Sequence, residues 1–196
     1  YALVPGGMTS GRVPGASRAD RAQTLAIESS SNGLSGFAAY LFYNNATVCI
    51  LVFALGFAFG VPTVLMLIYN MAMLGAMAWL YNSVGLLPEF MAWLCVHGTT
   101  EFTAILLAGA AGVHVGRNMA FPGDSSILAS TAQAGRRAAL VMLGCVIMLI
   151  FAAVLEAFPR QLAGFEARLI IGVFMGLVWL SLFVLVGRKS VDGDAA

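Results

Sequence analysis

The sequence predicts an all-α, polytopic membrane helix bundle of about five membrane segments, and three observations predict it. Apolar residues make up 60% of the 196 positions and charged residues only 10%, against about 25% charged in a soluble domain. With 22 glycines besides, too little polar surface is left to cover a water-soluble globule. From Ser29 to Pro88 there is no Asp, Glu, Lys or Arg, and a helix crosses hydrocarbon with about 20 apolar residues. That stretch alone holds two crossings. Finally, the apolar runs are long, are broken by Gly and Pro, and show no strand-like alternation. Ten basic and nine acidic residues give a net charge of +1, which offers no footprint for nucleic acid.

Taken in order, residues 1–35 form the one extended polar stretch. It carries Pro5-Gly6-Gly7, Pro14-Gly15, Arg12, Arg18, Arg21 and a Ser29-Ser30-Ser31-Asn32-Gly33 break, with room between the breaks for one short interfacial helix over 17–28 capped by Ser17. Five apolar segments follow at 36–60, 63–82, 89–116, 135–157 and 166–187. Gly60-Val61-Pro62 is the one break between the first two and predicts a tight helical hairpin. The third segment has 28 residues, about 42 Å of helix against about 30 Å of hydrocarbon. It must tilt, protrude or break, and Gly98 is the expected breakpoint. Phe121-Pro122-Gly123-Asp124 predicts a turn with Asp124 as the N-cap of a helix that enters the membrane past Arg136-Arg137. The chain opens on Tyr1 without a leader pattern, as a piece of a longer protein would.

Basic residues near the segment ends set the orientation. Arg117, Arg136, Arg137, Arg188 and Lys189 fall on one side and Arg160 and Arg168 on the other, while Arg12, Arg18 and Arg21 count against placing 1–35 on that second side. This predicts an extracytoplasmic segment over 1–35, a transmembrane domain over 36–187 and a cytoplasmic tail over 188–196. The expected setting is a cytoplasmic membrane.

Ionisable groups inside the apolar segments are few: His97, Glu101, His114 and Glu156, with amides at Asn44, Asn45 and Asn70. Such groups are costly in hydrocarbon and face a protein interior or a water-filled cavity. His97, Glu101, Glu156, Asn44, Asn45 and Asn70 therefore form the candidate polar cluster. His97 and Glu101 are four apart and share a helix face. Three readings stay open for them: a buried polar pair that locks helix packing, a contact for an ion, proton or solute, or metal ligation. Two ligands fall short of a metal site, so no metal and no cofactor is expected. Glu156 before Phe158-Pro159 and His114 beside Arg117 can equally lie at the membrane interface. Cys49, Cys95 and Cys145 lie singly in apolar runs and read as small hydrophobes.

Small residues are more orderly. Ala104, Ala108, Gly112 and Gly116 recur every fourth position, and Gly56 with Gly60 and Gly172 with Gly176 repeat the spacing. Together with Gly98 they form the expected packing faces, because small-x-x-x-small surfaces let helix backbones approach where no hydrophobic force drives association. Those faces serve either packing within the chain or contact between copies, and a homo-oligomer is expected. No nucleophile sits near a base and no phosphate loop is present, so the chain does not read as an enzyme.

Tyr43-Asn44-Asn45, Tyr69-Asn70 with Gly75, His97-Gly98-Thr99-Thr100-Glu101 leading into Ala104-x-x-x-Ala108-Gly109-Ala110-Ala111-Gly112, Pro122-Gly123 and Glu156-Ala157-Phe158 resemble the stage II sporulation protein M family of bacterial and archaeal membrane proteins. The resemblance covers about residues 36–160. Met71 stands where a Gly is expected, and no basic residue closely follows Pro122-Gly123. The resemblance implies a membrane anchor or scaffold acting with peptidoglycan-degrading partners, and an upstream region before Tyr1. The residues themselves leave a second expectation, a transport protein whose polar cluster lines a pathway for a proton, ion or small solute.

Overall fold

The computed structural model describes residues 15–26, 31–157 and 164–193. Within them the chain forms six α-helices and no strand: α1 (Arg18–Ala26), α2 (Ser31–Ala54), α3 (Val61–Asn82), α4 (Leu87–Ala120), α5 (Ile127–Ala157) and α6 (Phe165–Gly193). Four stretches are long and apolar enough to cross a membrane: Val61–Asn82, Leu87–Ala120, Ile127–Leu155 and Phe165–Leu185. In α2 the described apolar run, Phe42–Phe57, is shorter.

α4 is the post around which the others stand. Over half of its apolar window is buried, 56%, against 11% for α3 and for α6, whose outer faces are left for lipid. Side-chain pairings fix the directions. Cys49 packs with Ile105 and Ala108, and Gly56 lies on Gly112, so α2 runs parallel to α4. Gly172 meets Cys95 and Trp179 meets Thr100, which makes α6 parallel as well. Cys145 pairs with Ala104 and Ser130 with Asn118, so α5 is antiparallel. α3 also runs against α4, with Thr63 bonded to Val52 at one end and Tyr81 stacked on Phe90 at the other.

Between α2 and α3 the chain turns through a 3-10 turn, Leu55–Phe57. Gly60 then takes φ +80, a left-handed conformation that a glycine adopts without strain, and Pro62 falls in the first turn of α3, where its missing N–H leaves nothing unpaired.

Two local expectations are corrected. Gly98 does not break the third segment: α4 runs without interruption for 34 residues, about 51 Å. A glycine in a helix interior costs only about 1 kcal/mol relative to Ala, too little to interrupt a helix that is buried around Gly98. The N-cap of α5 is Ser126 and not Asp124. The Ser126 hydroxyl accepts the Ala129 N–H at 3.2 Å, while Asp124 is exposed in the turn before it.

The short N-terminal helix forms as α1, and its start is a capping box. The Ser17 hydroxyl accepts the Asp20 N–H at 3.1 Å and the Asp20 carboxylate accepts the Ser17 N–H at 3.2 Å. α1 is tied to the α3–α4 corner. Arg21, 2% exposed, donates to the Leu80 carbonyl and to Ser83 Oγ at 3.0 Å. Thr24 Oγ1 lies 2.7 Å from the Tyr81 hydroxyl. A cation at the carbonyl end of α3 satisfies groups that the helix leaves without partners and complements its dipole.

Candidate functional site

The site is built on α4, where the 3.6-residue period sends consecutive polar residues to different neighbours. Glu101 lies about 21 Å along the helix from Leu87 and is 8% exposed. The Asn45 side chain of α2 lies beside its carboxyl group. Thr100, fully buried, turns to α6 and accepts the Trp179 indole N–H at 3.0 Å. One turn earlier His97, 2% exposed, sets its ring edge-on to Trp93 with centroids 5.3 Å apart. One turn later the Cys145 thiol of α5 donates to the Ala104 carbonyl at 3.3 Å. Cys49 lies in the same buried cluster. The result is a polar layer inside an apolar bundle, joining α2, α5 and α6 to one post.

The candidate residues divide accordingly. Asn45 reaches Glu101, but its neighbour Asn44 is exposed on α2. Asn70 donates to the Met66 carbonyl of its own helix at 2.8 Å, so its amide is engaged within α3. The backbone of Glu156 belongs to α5, and its side chain lies outside the described residues. His114 is exposed near the far end of α4. Among the described residues no three His, Cys, Asp or Glu side chains converge as a metal site. Sequence reasoning missed Trp179 and Arg21. The first sits in an apolar run with nothing to mark it, and the second was read only as a charge bearing on orientation.

The small residues bring backbones together inside the chain. A Cβ built on Gly56 would fall 2.2 Å from the Gly112 carbonyl oxygen, and one on Gly116 would fall 2.4 Å from both the Gly56 oxygen and the Gly60 nitrogen. The Gly56/Gly60 face is thus seated on Gly112/Gly116, and Ala104 and Ala108 continue the seam, fully buried. Gly172 lies against Cys95, 2.5 Å from a built Cβ to the Cys95 Cβ, so its face is occupied within the chain. Gly176 has open space.

A match to the family described as stage II sporulation protein M spans residues 8–159, well over half of the chain. The chain belongs to the stage II sporulation protein M family. The match takes in α1 and its Arg21 anchor as well as the segments over which the motifs resemble the family. It holds Asn45, His97, Glu101 and the glycine seam, and stops short of α6 with Gly172 and Trp179. Among curated proteins and among solved structures, none matches this family member.

Proposed function

We propose that this stage II sporulation protein M family member is a non-enzymatic multi-pass subunit that scaffolds a cell-envelope assembly in the cytoplasmic membrane. In this reading α2 is a fifth crossing that forms a tight hairpin with α3. The 55–60 and 121–126 connections and the C-terminus face the cytoplasm, and the α1 end faces outward to meet peptidoglycan-remodelling partners. Self-association belongs to the same proposal, through the outward faces of α3 and α6.

The observation that carries the reading is the burial of Glu101, beside Asn45, in a nearly closed interior. An ionisable group in a membrane protein serves either chemistry or packing. Here Glu101, Thr100 and Cys145 each hold a different helix to α4, which is what a rigid platform needs. The alternative is proton, ion or solute transport, and it rests on the same carboxyl group at mid-depth.

Glu101→Gln separates the two, because the amide keeps the volume and the polarity but cannot ionise. Complementation of a host deletion, with expression controls, should be retained by Glu101→Gln, and proteoliposomes of the wild type should show no proton or cation flux. Flux in the wild type that Glu101→Gln abolishes would replace the scaffold by the transporter.

A further inference from the structure

At the α1 end of the bundle lies a cavity of about 300 Å³ lined by Ala22 and Leu25 of α1, Leu86, Glu89 and Ala92 at the start of α4, and Gly164, Phe165 and Arg168 at the start of α6. That is room for roughly ten waters at ~30 Å³ each. It exists because α1 is fastened elsewhere. Arg21 and Thr24 hold α1 on Leu80, Tyr81 and Ser83, leaving Ala22 and Leu25 to overhang the gap between α4 and α6. Its lining is apolar apart from one acid and one base, Glu89 and Arg168, carried in the first turns of two parallel helices.

We propose that this cavity binds the headgroup of a phospholipid bearing both a phosphate and a primary ammonium, a phosphatidylethanolamine, with Arg168 toward the phosphate, Glu89 toward the ammonium, and the first carbons of the lipid against Leu25, Leu86 and Phe165. The chemistry selects this class stepwise. A guanidinium offers paired N–H donors to phosphate oxygens. A phosphatidylglycerol headgroup would bring no cation to Glu89, and a phosphatidylserine headgroup would set a second carboxylate beside it. A choline headgroup brings a cation without N–H donors, whereas a primary ammonium has three. The depth also fits, because the first turns of helices that continue into apolar spans lie where lipid headgroups lie. The inference needs only the membrane placement of the bundle, so it stands or falls apart from the scaffold reading.

The test is native mass spectrometry of the full chain in detergent, equilibrated with equal amounts of dioleoyl phosphatidylethanolamine, phosphatidylcholine and phosphatidylglycerol. Phosphatidylethanolamine should be retained about tenfold above the other two, the ratio that one charge-assisted hydrogen bond supplies. Glu89→Gln and Arg168→Gln should each bring that ratio close to one. Ala22→Trp keeps both charges but fills the cavity, and it should do the same. All three changes lie at helix starts or on the exposed side of α1, and an unchanged circular dichroism spectrum confirms folding. Soluble O-phosphoethanolamine in excess identifies the source: lipid retention that it leaves intact assigns the site to the membrane lipid, and displacement assigns it to the headgroup alone. Equal retention of the three lipids, a preference for phosphatidylglycerol, or a phosphatidylethanolamine preference that survives all three substitutions would overturn the proposal.

Discussion

Gly116→Ala puts two physical effects in direct opposition. In a helix interior Ala is favoured over Gly by about 1 kcal/mol, so the substitution should stabilise α4 if nothing else intervened. At this position, however, the new Cβ would meet the Gly56 oxygen and the Gly60 nitrogen at 2.4 Å, where ordinary contact begins at 3.4 Å. Both obstacles are backbone atoms of the turn after α2, and no rotamer change can move them. The seam must open by about 1 Å, and a gap of that size forfeits a quarter to a half of each dispersion contact along it. Overpacking of this kind costs typically 1–3 kcal/mol. With backbone as both obstacles the cost falls in the upper part of that range, about 2–3 kcal/mol, and the net effect after the helix gain is a loss of roughly 1–2 kcal/mol, a factor of about 5–30 in the folded ratio. Gly144→Ala in α5 is the control, since nothing lies within 4 Å of a Cβ there. Unfolding in mixed micelles, followed by tryptophan fluorescence, should show Gly116→Ala shifted to lower denaturant and Gly144→Ala unchanged or shifted higher. A Gly116→Ala variant as stable as the wild type would mean that the two backbones are not in contact.

Two further predictions concern α1 and orientation. Arg21→Ala removes the donors to Leu80 and Ser83 and should cost α1 its seat, about 1.5–3 kcal/mol for charge-assisted bonds, read as loss of hydrogen-exchange protection over 18–26 with α3 to α5 unaffected; protection that persists would refute the anchoring role. Single cysteines at Ser83 and Ser126 in a background without Cys49, Cys95 and Cys145 should react with an impermeant maleimide from opposite sides of the membrane, and labelling from one side would refute the crossing by α4 that lies between them.

How much of this was legible in the sequence depends on the kind of residue. The all-helical architecture followed from composition, and the break after α2 from Gly60 and Pro62, because proline and glycine act locally. The every-fourth spacing of Ala104, Ala108, Gly112 and Gly116 pointed to close helix contact, but not to its partner, since spacing encodes a face and not what covers it. Asn44 and Asn45 show the limit most clearly. Adjacent helical residues point about 100° apart, so one amide reaches Glu101 and the other faces outward, and no sequence pattern in an apolar helix ranks them. Arg21 was illegible for another reason: its partner is a backbone carbonyl, and every residue has one. Asp124 and Ser126 are equivalent caps by type, and Ser126 holds the place because the turn over 121–126 runs two residues longer than the motif suggests.

These particulars share a cause. Lipid is as apolar as leucine, so burying α4 gains little from the hydrophobic effect, and association must come from contacts that lipid cannot make. The bundle supplies a different one at each height. At the turn end, glycine backbones of α2 and α4 touch. At mid-height, Asn45, Trp179 and Cys145 reach polar atoms of α4. At the α1 end, Tyr81 stacks on Phe90 at 4.6 Å and Phe90 on Trp93 at 6.0 Å, and Trp93 meets the His97 ring. This aromatic column runs from the residue that holds Thr24 down to the turn that carries Glu101. Each device tolerates little substitution, whereas the outward faces of α3 and α6 make few contacts and constrain little. A protein built in this way holds α2, α5 and α6 to one central helix by contacts that lipid cannot replace, while the outward faces of α3 and α6 stay open to lipid.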